Sequence, residues 1–292
     1  MNSYVFMTDS DSDLPFRYVD ELDLTMVYMP YMIDGKEYFD DLGRSGKQKE
    51  YFDNMRAGAT PVTSLLPQAV YEEYFEPVLE QGKDILFVAF SSQLSGTIRN
   101  IYAAREELLE KYPERKITVV DTLSISAPQT ILILKAHAMY REGKSMEEVA
   151  AWLEENKLKA QAWFTVDDLV YLKRGGRIGA VAAAMGTMLD LKPIITETKE
   201  GKLVSTEKVR GRKQALRVLV DKAVENIDDP ANADVIILHA DAPEDAERLE
   251  SKLREKIPAL EKIDTYYIGP VIGAHCGPGT VALCFFGKER PC

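Results

Sequence analysis

The segments that carry chemically capable side chains are few, and each has both a functional and a purely structural reading. TDSDSDLP (Thr8–Pro15) sets Asp9, Asp11 and Asp13 directly after a short apolar run. Alternating carboxylates suit a hard cation, but the segment lacks the glycine and the distal glutamate of an EF-hand loop. An Asx turn with a helix cap explains the same residues. TPVTSLLP (Thr60–Pro67) and SSQLSGT (Ser91–Thr97) each bring hydroxyls to the end of an element. SGT stands where a helix must start, so free amides and hydroxyls there could hold a carboxylate or phosphate, or Ser92 and Ser95 could serve only as caps. GGRIG (Gly175–Gly179) presents Arg177, a side chain suited to forked contact with an anion. GPVIGAHCGPG (Gly269–Gly279) reads as a glycine-rich loop that carries His275 close to whatever it faces, with Cys276 as a small buried neighbour.

Phosphate loops, nucleophile elbows and dinucleotide fingerprints have their own spacings, and these segments match none of them. The three cysteines all fall in the last 17 residues and the three histidines are scattered, which gives neither a disulfide framework nor a zinc-type cluster.

These segments have to be held by an alternating α/β chain. Strand patterns fall at Tyr4–Thr8, Leu24–Met32, Ile85–Phe90 and Ile117–Asp121. Helical patterns lie at Lys47–Met55, Ala69–Gln81, Gly96–Lys111, Pro128–Glu142 and Met146–Asn156. Strands ending in TDSDSD, SSQLSGT and DTLSIS predict polar ends along one edge of a parallel sheet, where open α/β folds bind ligands. After Ala160 the pattern changes to strands at Ala162–Val166, Ile194–Glu197, Leu203–Lys208, Val235–His239, Thr265–Ile268 and Val281–Phe286. Helices are expected there at Leu169–Lys173, Ile178–Leu189, Arg212–Asn226 and Pro243–Lys256. The expectation is an N-terminal parallel-sheet α/β domain (1–160) packed on a C-terminal α+β domain with a mixed sheet (161–292). The apolar stretches Thr130–Met139 and Ile178–Leu191 read as core helices, or as the lining of a narrow channel between the two domains.

With 292 residues, 46% hydrophobic and 28% charged, the chain is ordinary globular material. Its net charge of −11 argues against non-specific binding to nucleic acid or to an anionic membrane. The polar start and the lack of a long uninterrupted apolar run predict a soluble, cytoplasmic protein.

In order along nearly the whole chain, TDSDSDL, Thr63–Ser64, SSQLSGT, VVDT, DDLVYLKRGGRIG, KPIIT, KVRGRKQAL and IGPVIGAHCGPGT resemble the bacterial DegV family. The resemblance implies a fatty-acid-binding subunit of fatty acid kinase rather than an enzyme complete in itself. A long-chain fatty acid would lie in a tunnel between the domains, with no other cofactor and no metal. Its carboxylate would meet Thr63, Ser64, Ser92, Ser95 and His275, with Arg177 close by. A separate ATP-dependent subunit would phosphorylate that carboxylate for phospholipid synthesis. Arg177 and Arg210 match positions associated with contact to that subunit, and membrane contact would be transient. The chain departs from the common family pattern at Leu65, where Gln is usual, and at Ser124–Gln129; both bear on the entrance to the tunnel. The alternative is a metal-dependent phosphotransferase acting on a small hydroxylated substrate through Asp9, Asp11 and Asp13.

Overall fold

The computed structural model describes residues 3–179, 181 and 190–291. Through residue 159 the strands are β1 (Tyr4–Asp9), β2 (Thr25–Val27), β3 (Pro30–Ile33), β4 (Lys36–Phe39), β5 (Val62–Thr63), β6 (Asp84–Ala89) and β7 (Ile117–Asp121). The helices between and after them are α1 (Phe16–Leu22), α2 (Gln48–Arg56), α3 (Gln68–Glu80), α4 (Thr97–Lys111), α5 (Ala127–Arg141) and α6 (Met146–Asn156). From Ala160 onward follow β8 (Ala160–Thr165), β9 (Leu191–Glu197), β10 (Leu203–Arg210), β11 (Val235–His239), β12 (Ile263–Tyr267) and β13 (Val281–Phe286). Their helices are α7 (Val170–Arg174), α8 (Arg212–Asn226), α9 (Pro243–Lys256) and α10 (Pro270–Cys276).

The first sheet is all parallel, in the order β2-β1-β6-β7. Its inner strands are apolar on both faces because helices cover both. Ile85, Phe87 and Ala89 point toward α3 and α4, where Phe75 and Ile101 are fully buried, while Leu86 and Val88 meet α5 and α6. The second sheet is mixed, in the order β10-β9-β8-β13-β11-β12. Helices α8 and α9 cover one of its faces through Leu219 and Leu249. The other face brings Phe164, Ile236 and Cys284 into one core with Phe52, Phe90 and Ile131 of the first half. Two layers built for different sheets therefore share an apolar seam, and the main cavity opens in it.

Sequence and structure part company in two places. The single strand expected over Leu24–Met32 is two, because Pro30 has no amide to continue the ladder; β3 instead pairs with β4 and β5 in a small antiparallel sheet. The loop expected at Gly269–Gly279 contains a short helix. Pro270 occupies its first turn and Gly277, at φ 77°, ends it, the usual division of labour between proline and glycine. Thr130–Met139 takes the first of its two readings, a core helix: Ile131 enters the shared core, Leu132, Ile133 and Ala136 pack toward α6, and none of the stretch lines the main cavity among the described residues. Most of the apolar helix expected at Ile178–Leu189 lies outside the described residues.

Candidate functional site

Strands β1, β6 and β7 do end side by side, and their polar ends knit together. After β1 the chain makes a 3-10 turn over Ser10–Ser12, and Asp13 takes φ 55°, a conformation short polar side chains tolerate. Asp9 accepts hydrogen bonds from the Phe90 amide (3.3 Å) and from Gln129 Nε2 (3.2 Å). Ser10 Oγ accepts from the Met29 amide at 2.8 Å. Asp13 accepts from the Gly269 amide at 2.9 Å and from the Ser126 hydroxyl. These are long-range ties between elements rather than the local Asx turn and helix cap the sequence suggests, since neither the 3-10 turn nor α1 carries a side-chain cap. Among the described residues no group of three or more His, Cys, Asp or Glu could hold a metal ion, so the metal-binding reading of Asp9, Asp11 and Asp13 has no geometry behind it.

Burial raises these acids. Desolvation pushes Asp9 and Asp13 up to about 7, and it holds Asp11 and Asp40 well above the usual carboxylate range, with the neighbouring aspartates adding to the effect. Asp11 differs from Asp9 and Asp13 in what it touches. It is 3% exposed, its Oδ1 has no hydrogen-bond partner, and it stands in the wall of the main cavity.

That cavity measures about 420 Å3, within the ordinary size range of small-molecule sites. Its body is apolar: Phe164 and Ala162 from β8, Ala282 and Cys284 from β13, and Val271 and Ile272 from α10 line it. Thr63, Ser64, Ser95, Arg177 and His275 also reach its wall, together with Thr97 at the start of α4. Thr63 Oγ1 and His275 Nε2 lie 2.9 Å apart. Ser95 Oγ shares a hydrogen bond with Thr97 Oγ1 at 2.7 Å and accepts from the Thr97 amide at 3.2 Å, so this serine caps the helix and lines the cavity at once. Arg177 donates through Nε to the Leu94 carbonyl (3.0 Å) and through Nη1 to Gly175 (2.7 Å), which ties the GGRIG turn to the SSQLSGT loop.

The charge state of this region follows from burial. His275 is drawn down to about 4, chiefly by desolvation and then by Arg177, so it is neutral near pH 7. Its Nδ1 is buried without a partner and lies against Gly175, where an added Cβ would come within 2.1 Å. Arg177 is itself lowered by burial, with Asp11 pulling the other way, yet as a guanidinium it keeps its charge. Two arginines, Arg177 and the exposed Arg99, with neutral hydroxyls and a neutral imidazole make a region that favours an anionic group, while the rest of the cavity favours a hydrocarbon.

One residue expected at the head group stands elsewhere, and Arg210, expected at a partner contact, lies outside the cavity. Ser92 is absent from the cavity wall, because its amide donates to Asp121 Oδ1 (3.2 Å) and its hydroxyl accepts from Gln93 Nε2 (3.2 Å). Arg210 ends β10 on the exposed surface, away from the cavity lining. The contributions of Asp11 as an unpaired acid and of Gly175 as the seat of His275 were not legible in the motifs. Nothing local marks which of several aspartates lacks a partner.

The sequence profile of the DegV family, described as an uncharacterised protein family, matches residues 4–288. A DegV domain-containing protein of Clostridium perfringens is 42% identical over 290 residues, covering 99% of both chains. Among solved structures, a DegV family protein from Thermus thermophilus, described for its fatty acid binding, superposes with a TM-score of 0.86 at 30% identity, covering 98% of this chain and 100% of its own. A stearic acid-binding protein from Eubacterium ventriosum also gives a TM-score of 0.86, at 27% identity with 98% of each chain covered.

Proposed function

Because this chain belongs to the DegV family, we propose that it binds a long-chain fatty acid in the cavity between its two larger sheets and presents the carboxylate to an ATP-dependent kinase subunit. The observation that carries the reading is the division of that one cavity. An apolar body from β8, β13 and α10 runs together with Thr63, Ser95, His275 and Arg177, which can neutralise one carboxylate. Burying about fifteen methylenes contributes on the order of 12 kcal/mol before ordering costs, so the tail supplies most of the affinity. The polar residues then have only to orient the head and offset its charge.

The further parts of the reading rest on chemistry rather than on contacts. Phosphorylation of a carboxylate needs a nucleotide, and the chain has no phosphate-binding loop, so the ATP site belongs to the partner. On this reading the protein is a binding subunit and the product is an acyl phosphate for phospholipid synthesis. Arg177 and the exposed Arg210 would contribute to the partner's docking face, and exchange of ligand would involve transient contact with a membrane in the cytoplasm. Residues 1–160 and 161–292 are proposed as the two domains, since β8, the first strand of the mixed sheet, starts at Ala160. A phosphotransferase acting through a metal at Asp9, Asp11 and Asp13 finds no supporting observation among the described residues.

Denaturing the purified protein and analysing the extract by mass spectrometry tests the central statement. About one equivalent of long-chain fatty acid per chain is expected. A protein that carries none and takes up none when incubated with palmitate would overturn it.

A further inference from the structure

We propose that Asp11 is a head-group residue of this cavity, a neutral carboxyl that donates its hydrogen bond to the carboxylate of the bound fatty acid. The proposal deepens the fatty-acid reading and rests on it.

Asp9 and Asp13 have their oxygens engaged by Phe90, Gln129, Gly269 and Ser126. Asp40 accepts from the Leu42 amide at 2.9 Å and does not reach the main cavity. Asp11 alone of the four combines burial, an oxygen with no partner among the described residues, and a place in the cavity wall. A buried polar atom left unpaired carries its full desolvation penalty, so such atoms call for an explanation. A ligand group that completes the hydrogen bond provides one.

The protonation state follows from what faces Asp11. Asp9 and Asp13 come from its own turn, Asp40 from the segment after β4, and Arg177 from the turn after α7; His275 of α10, neutral, shares the cavity wall with Arg99 of α4 and with Cys276 and Cys284, which burial keeps as thiols. Desolvation and three neighbouring acids favour the protonated form, and only Arg177 opposes them. A fatty acid brings a further carboxyl into the same cavity, and two carboxyls in a dry site share one proton rather than ionise together. The ligand's group is the one that ionises, because Arg177 and the hydroxyls can serve an anion, whereas Asp11 has no hydrogen-bond donor of its own. A carboxylic acid kept neutral by an apolar site so that it can donate to an oxyanion is a known arrangement in other folds. The consequence is directional: once Asp11 loses its proton at high pH, it repels the ligand head and affinity falls.

Binding of palmitate and of hexadecanol to the whole chain, measured from about pH 6 to 9, tests this in wild type, Asp11→Asn and Asp11→Leu. Asparagine keeps a donor but cannot titrate, so Asp11→Asn should hold palmitate across the range. Asp11→Leu should bind palmitate about tenfold more weakly than wild type at the acid end, the size of one lost hydrogen bond, and any alkaline loss seen in wild type should be absent from Asp11→Asn. Hexadecanol, which carries no charge, should show no alkaline loss. Infrared difference spectra of wild type with 13C-carboxyl palmitate give a readout that needs no variant: the ligand band should be that of a carboxylate, and a protein carboxyl band should shift on binding. An alkaline loss of palmitate that Asp11→Asn shares with wild type, full palmitate affinity in Asp11→Leu, or no ligand-dependent carboxyl band would each overturn the assignment of Asp11. Failure of wild type to bind palmitate at any pH would instead overturn the fatty-acid reading, and the assignment with it.

Discussion

The hydroxyl of Thr63 lies 2.9 Å from Nε2 of His275, across 212 positions of sequence. One side chain ends the short β5 strand of the small antiparallel sheet, and the other sits on α10, which the chain reaches only after most of the mixed sheet is complete. The contact therefore staples the two halves together at the cavity wall, where both side chains are available to a ligand.

Thr63→Val removes the hydroxyl and leaves the His275 ring nitrogen without its partner. Retention of fatty acid should fall about tenfold, the cost of one hydrogen bond to a charged or buried polar group. His275→Gln should fall by a similar factor. Ligand content after dialysis against lipid-free albumin measures both, and unchanged content in both variants would remove these residues from the head-group assignment.

Gly175→Ala puts a methyl group where His275 Nδ1 now lies, at a separation of 2.1 Å. The imidazole must swing away and lose Thr63, with an overpacking cost of about 1–3 kcal/mol. A lowered Tm together with a shifted ring-nitrogen resonance for His275 is expected. A variant that keeps both would show that the glycine is there for the turn alone.

Ala162→Leu narrows the apolar part of the cavity, since Ala162 is buried on β8 and lines it. Bound ligand should shift toward shorter acyl chains, each methylene lost weakening binding by about 0.8 kcal/mol. The chain-length profile of extracted lipid reads this out, and an unaltered profile would place the tail elsewhere.

Asp13→Asn probes the buried acids through stability. Asp13 is raised to about 7 by burial, against a value near 3.9 in an unfolded chain. Between those values the native state holds a proton that the unfolded state has released, so this group makes stability fall as pH rises through about 4 to 7. Asp9 and Glu197, also at about 7, act in the same sense. His137 and His275, lowered to about 4, act oppositely between about 4 and 6.5, because the unfolded state takes up their protons first. Asparagine still offers an acceptor to the Gly269 amide and tolerates φ 55°. The variant should therefore gain on wild type as pH rises from about 4 to 7, by on the order of 2–4 kcal/mol in denaturant titrations. Parallel curves would mean that Asp13 is ionised in the native protein.

Much of the fold was legible because its signals are local. Ile117–Asp121, Met146–Asn156, Arg212–Asn226, Val235–His239, Pro243–Lys256 and Val281–Phe286 have the same limits in the sequence pattern and in the structure. Their apolar spacing matches one period from end to end. The small β3-β4-β5 sheet was not visible, since a two-residue strand such as Val62–Thr63 carries no periodicity to detect. Helix α10 was hidden by its glycines, which read as a loop although they serve to cap and to pack it.

What the residues determined by themselves was the chemistry on offer: a parallel sheet with polar strand ends, hydroxyls before α4, one arginine in a glycine turn, and one histidine near the C-terminus. Tertiary structure decided which of these meet. It turned Ser92 toward Asp121, left Arg210 on the surface, seated His275 between Gly175 and Thr63, and left Asp11 with an unpaired oxygen while engaging Asp9 and Asp13. The physical reason is range. Periodicity and caps act over a few residues, whereas desolvation and pairing depend on neighbours brought in from the other half of the chain, and those neighbours set whether a carboxyl ties two elements together or waits for a ligand.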